Sequence, residues 1–196
     1  MKKATVRRRE RGAGLFIVIL IAAGLAAIGL TLLTLTSMGP KISGGMRTQE
    51  EAFNAAEAGF NAARVAIGDN FAVGGWTSFV GHYLTQPSFL DRPFVSSTVN
   101  ADYFRRKTDE ELLLAFDPEK DGTPNYSPFI YFQQTFTLDE SGGTDLRLAY
   151  TAFLIDDEAG GGTPDPQDAL LVVIGVVRAG TRILATTRLE IVLAFE

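Results

Sequence analysis

The order of apolar and polar positions divides the chain into a continuous apolar run, an amphipathic segment and a region of alternating strands. No charged residue occurs between Arg11 and Lys41, and from 13 to 35 Leu, Ile, Ala, Val and Phe are interrupted only by Gly14, Gly24, Gly29, Thr31 and Thr34. A helix over those 23 residues, at about 1.5 Å per residue, crosses a hydrocarbon core of roughly 30 Å. Buried core helices are generally shorter and amphipathic, so the run predicts a membrane helix over 13–38. It is too long for the apolar region of a secretory signal peptide, and more hydrophobic than a twin-arginine signal needs. Just beyond it Gly39, Pro40, Gly44 and Gly45 predict an interruption over 39–47, since proline removes a helical hydrogen bond and glycine loosens the backbone. Thr48 followed by Glu51 reads as a capping box that restarts a helix over 48–67. There Phe53, Ala56, Phe60, Ala63 and Ile67 recur at spacings of three and four, an apolar stripe that should face a sheet. Glu57 beside it reads as a solvated flank.

The remainder, 68–196, reads as a globular head. Residues 68–75 mark a turn, and the stretch to Pro93 mixes Gly, Pro and aromatic residues without period. Thr108 and Glu111 form a second capping box before Leu112, Leu113 and Leu114, predicting a short helix that ends near Phe116. Segments 129–138, 148–155, 169–177 and 182–195 are rich in β-branched and aromatic residues and read as strands. In the last, Ile183, Ala185, Thr187, Leu189, Ile191, Leu193 and Phe195 alternate with polar positions, predicting one buried and one outward face. Ala179, Gly180 and Thr181 suffice to join the last two strands as a hairpin. The fold class expected is α+β, a long N-terminal helix packed on a C-terminal antiparallel sheet.

Charge sharpens this division. The formal net charge is −5, yet Lys2, Lys3, Arg7, Arg8, Arg9 and Arg11 face only Glu10 before the apolar run. The basic cluster should remain cytoplasmic and the remainder be exported. Loss of residues 1–12 takes away six positive charges and one negative, leaving −10, a sign that argues against nucleic-acid binding. The 196 residues accommodate one domain and an extension. The absence of cysteine excludes disulfides and thiolate chemistry.

The inventory of reactive groups argues against an enzyme. His82 is the only histidine, and neither a Gly-x-Ser-x-Gly elbow nor a phosphate-binding glycine loop is present. A carboxylate-based hydrolase would need a pair such as Asp156 and Asp157 across a cleft. Two acidic loops are candidate calcium sites, and no other cofactor is implied. Asp117, Glu119 and Asp121 with Gly122 mimic the start of an EF-hand loop, but its twelfth position is Pro128. Asp156, Asp157, Asp165 and Asp168 surround Gly160, Gly161 and Gly162. A solvated hairpin tip is the simpler reading of both.

The segment from Arg7 through Gly12, Arg-Arg-Arg-Glu-Arg-Gly, running directly into the apolar helix, resembles a class III prepilin leader. Downstream, Ser43-Gly44-Gly45-Met46-Arg47 leads into Ala52-Phe53-Asn54-Ala55-Ala56-Glu57-Ala58-Gly59, which is similar to the N-terminal region of PilX-type minor pilins of type IV pili. The resemblance covers about residues 8–67, and the head matches only in layout. It implies cleavage by prepilin peptidase between Gly12 and Ala13, or in a second register between Gly14 and Leu15, followed by methylation of the new amine. It also implies assembly by packing of the helix that carries Gly14, Ile17, Gly24 and Gly29. Major pilins carry glutamate at the fifth mature position, where this chain has Ile17, or Ile19 in the second register. That departure suits a subunit at or near a filament tip, because no carboxylate is present to pair with a neighbour's amine in lipid. The resemblance implies a non-enzymatic role in pilus biogenesis, adhesion or twitching motility. Partners would be major and minor pilins, the peptidase, the inner-membrane assembly platform and a large tip adhesin. The chain would sit in the inner membrane with a periplasmic head before assembly, and outside the cell in the pilus afterwards. A type II secretion minor pseudopilin and an uncleaved membrane-anchored periplasmic binding module are the alternatives.

Overall fold

The computed structural model describes residues 7–84, 90, 92–95, 98–138, 141–156 and 166–194. Helix α1, Arg7–Ala72, is followed by a two-stranded ribbon of β1 (Phe94–Val95) and β2 (Thr98–Val99). A 3-10 turn at Phe104–Arg106 and helix α2 (Asp109–Phe116) come next. The chain ends in strands β3 (Tyr131–Thr135), β4 (Leu148–Ile155), β5 (Asp168–Ala179) and β6 (Arg182–Ala194). Compactness divides the chain into two units, Met1–Met46 and Arg47–Glu196.

α1 is one uninterrupted helix, so the break expected at Gly39, Pro40, Gly44 and Gly45 is not a break in the helix. An interior proline costs about 3 kcal/mol and each glycine about 1 kcal/mol, penalties that the long helical stretches on either side outweigh. For the same reason Thr48 is not an N-cap. Glu51, its expected capping partner, instead receives Arg47 Nε at 3.1 Å, one turn away on the helix surface. The second capping box is present in full. Thr108 Oγ1 accepts the Glu111 amide, and the Glu111 carboxylate accepts the Thr108 amide at 2.8 Å.

The head is an antiparallel meander in the order β3-β4-β5-β6. β4 falls on the predicted residues, and β5 begins one residue earlier and ends two later than predicted. β3 is shorter than the predicted segment, and its ladder is bulged between Tyr131 and Gln134. Gly180, at φ +63°, turns the β5–β6 hairpin in the left-handed region that glycine adopts without strain.

Both faces of the central strands are covered within the head. Leu170, Val172, Ile174 and Val176 of β5 join Phe153 and Ile155 of β4 under Leu112, Leu113 and Phe116 of α2. The alternate residues, Ala169, Leu171 and Val173, join Tyr150, Ala152 and Leu154 against Ala63 and Ile67 of α1. β4 and β5 therefore read as near-continuous apolar runs rather than alternating ones.

β6 departs from its predicted single inward face. Its pairing with β5 slips between Val177 and Arg178, where Val177 opposes Ala185 but Arg178 opposes Ile183, so Leu184 is an extra residue. Ile183 consequently packs with the α2 cluster, whereas Leu189 and Leu193 pack with the α1 cluster. Arg188, expected to point outward, is largely buried. It binds Asp109 at 2.6 Å and donates to the carbonyls of Phe104 and Lys107, tying α2 and the 3-10 turn to the sheet.

Candidate membrane and assembly helix

Within the first unit, Gly14–Thr34 is long and apolar enough to cross a membrane. Its large side chains, from Leu15 to Leu33, are between 54% and 67% exposed, Ile17 among them at 56%. An aqueous environment would leave this apolar surface uncompensated, so a lipid or protein environment is its natural partner. The helix also hides its own polar groups. Thr31 Oγ1 donates to the Ala27 carbonyl at 2.8 Å, Thr34 Oγ1 to Thr31 at 2.7 Å and Thr36 Oγ1 to Leu32 at 2.8 Å. Each hydroxyl is thus satisfied along its own helix, the arrangement required where no water is present.

A Cβ added at Gly14, Gly24, Gly29, Gly44 or Gly45 would meet no atom within 4 Å. Glycine at these positions lowers helix propensity without an intramolecular packing need. Gly12 and Ala13 lie in the first turns of α1, and their side chains, like those of Gly39 and Pro40, are outside the described residues.

The stem that follows packs differently from the predicted stripe. Ala56 and Ala63 are fully buried, Ile67 is 6% exposed and Phe60 is partly buried, as predicted. Phe53, however, is 43% exposed, and its place is taken by Ala52, Ala55 and Gly59. The cause is closeness. A Cβ on Gly59 would stand 2.7 Å from the Tyr150 ring and 2.8 Å from Val173, and one on Gly175 of β5 would collide with backbone atoms of Ala52 and Ala56. Helix backbone lies directly on strand backbone, so the contact face consists of the smallest residues and phenylalanine is displaced to its edge. Glu57 is exposed. The Ala-rich run was visible in the sequence; its partner Gly175, inside an apolar strand, gave the only further signal.

Among the described residues no three His, Cys, Asp or Glu side chains are placed to hold a metal. Asp117 is 3% exposed, and its carboxylate accepts the backbone amides of Asp121 at 3.2 Å and Gly122 at 3.0 Å. Asp121 in turn accepts the amide of Thr123, and Glu119 is exposed. Asp117 thus closes its own loop. In the second loop Asp157 and Asp165 lie outside the described residues. Asp156 is half-buried, and Asp168 opens β5, its carbonyl receiving the Tyr83 hydroxyl at 2.8 Å. His82 stacks on Trp76 with ring centroids 3.9 Å apart, and burial lowers its pKa. That is a packing arrangement of two stacked rings.

Comparison with known families, with curated proteins and with solved structures returns no match.

Proposed function

We propose that this protein is a non-enzymatic, membrane-anchored subunit of a type IV pilus, of the minor pilin class, with a pilin-like head. It enters the inner membrane by its N-terminal helix, loses residues 1–12 to prepilin peptidase and joins the filament at or near its tip by lateral packing of that helix. The observation that carries this reading is the state of residues 14–34, an apolar helix exposed along its length, with its hydroxyls self-satisfied and three glycines that no intramolecular contact requires. In lipid, apolar surface alone gives no reason for helices to associate. Close backbone approach at small residues does, and Gly14, Gly24 and Gly29 with the neighbouring alanines offer it. The basic residues before the helix set its orientation, and the α+β head of Arg47–Glu196 forms a compact unit of its own.

Intact mass of the protein from cells with and without prepilin peptidase tests the proposal. The expected result is loss of residues 1–12 and a methylated new terminus only where the peptidase is present. The same full-length mass in both strains would overturn it and favour an uncleaved anchor.

A further inference from the structure

On the α2 side of the sheet the core ends in a polar corner. Along β5 the row Val172, Ile174 and Val176 is buried under α2, and the next position in that row is Arg178. Its side chain is half-buried, and desolvation lowers its pKa, opposed by the charge of Asp117. Nη1 donates to Gln133 Oε1 at 2.7 Å, while Nε is out of solvent contact and has no acceptor among the described residues. A buried cationic N–H without an acceptor is a costly arrangement that an apolar residue would avoid.

Gln133 adds an independent sign. It sits in the β3 bulge with φ +48°, a left-handed conformation that only glycine and a few others adopt readily. Strained bulge residues are characteristic of places where a side chain must be aimed. Here the aim is evident: the Gln133 backbone amide donates to Thr151 Oγ1 at 3.1 Å, and its side chain joins Arg178 to Asp117, Nε2 donating at 3.3 Å. Beside this relay a cleft of about 760 Å³ opens between α2, the loop after it and the β5–β6 hairpin, a volume typical of small-molecule sites.

The charges lining the cleft differ in what they are already doing. Asp117 accepts from two loop amides and Gln133, and Glu111 closes the α2 capping box. Arg178, Lys120 and Arg182 take part in no ion pair among the described residues, and neither do the lining acids Glu110, Glu111 and Asp117, of which Glu111 and Asp117 already accept hydrogen bonds. The lining is thus formally neutral, three bases to three acids, but two of the acids already have their oxygens engaged, so the donors left for a ligand lie on the basic side and the nearby acid disfavours a multiply charged anion.

We propose that this cleft binds a monocarboxylate, received by the Arg178 guanidinium with Lys120 and Arg182 at its rim. Two carboxylate oxygens match the planar donor fork of arginine, and Gln133 positions that fork. Two sources present this chemistry, a free organic acid and the C-terminus of a peptide chain.

The test uses the full chain in detergent micelles with 15N-labelled arginine, following the Nε–H resonances on titration with butyrate, N-acetyl-tri-alanine, or the C-terminal amide of that peptide. The Arg178 resonance should move with an acid and stay still with the amide and with chloride of equal ionic strength. Response to butyrate identifies a free acid, and response confined to the peptide identifies a chain terminus. Arg178→Lys should remove that resonance and weaken binding about tenfold, because a point charge replaces a bidentate fork. Lys120→Ala with Arg182→Ala, both exposed positions, should leave the fold intact and weaken binding about threefold by removing rim charge. Equal binding of acid and amide, unchanged binding in the rim variant, or still resonances with both acids would each overturn the proposal.

Discussion

Residues 14–34 and 52–67 belong to one helix and are both rich in small side chains, yet they use them in opposite ways. In the first stretch a methyl group could be added at Gly14, Gly24 or Gly29 without touching another atom. In the second, Gly59 lies within van der Waals contact of Tyr150 and Val173, and Gly175 receives the backbone of Ala52 and Ala56. The glycine of the stem has its partner in the same chain; the glycines of the N-terminal stretch have a reason only if another molecule supplies one. Under the proposed function, this difference between satisfied and unsatisfied small residues, more than the length of the apolar run, would separate an assembly helix from a simple anchor.

The comparison can be broken most sharply at Gly175. Gly175→Ala places a Cβ against helix backbone, which cannot move aside as a side chain can, and should cost about 3 kcal/mol or more in urea denaturation of the head. A smaller loss, about 2 kcal/mol, is expected for Gly59→Ala, since there side chains, the Tyr150 ring and a Val173 methyl, would have to give way and not backbone. If Gly59→Ala proved the more harmful of the two, the backbone-on-backbone contact would be the wrong account of the stem.

A local contribution unrelated to glycine gives the scale for these effects. Thr108→Ala removes the cap of α2 and should lower stability by about 1 kcal/mol. The same motif carries a pH dependence. The Thr108 backbone amide, followed by its hydroxyl, holds the Glu111 pKa below the ordinary 4.5. A lowered folded-state pKa means that this contribution is complete above about pH 4.5 and fades as pH falls through the folded value. Glu111→Gln should therefore flatten the acid limb of the stability profile measured by thermal melts between neutral pH and that range.

The smallest expected effect on the head comes from Gly24→Ala and Gly29→Ala, within about 0.5 kcal/mol of the unmodified protein. Their informative readout lies elsewhere. Recovery of the protein in sheared filaments should fall while its amount in the membrane fraction holds steady. Unchanged recovery in filaments would mean that these glycines serve no intermolecular packing.

Much of the architecture was legible because it depends on local chemistry. The apolar run needs only counting, the α2 capping box needs only Thr108 and Glu111 three residues apart, and β4 and β5 are long β-branched and aromatic runs. The failures share a different origin. Helix continuity through residues 39–47 is a balance between local breakers and the stretches on either side. Periodicity places Phe53 on the buried stripe because it identifies a face without saying how closely a partner approaches it. The β6 slip at Leu184 depends on pairing with β5, and it alone moves Ile183 to the opposite face from Leu189.

The sequence by itself determined the membrane-length helix, the acidic head with its strand content and the short capped helix, since hydrophobic periodicity, charge and capping act over a few neighbouring residues. Only the tertiary structure decided that Gly59 and Gly175 carry the stem contact, that Asp117 closes its own loop, and that Gln133 and Arg178 meet at one cleft. Those outcomes depend on distances between residues up to 123 positions apart, as with Ala52 and Gly175, and side-chain volume and hydrogen bonding select among them once the chain has brought them together.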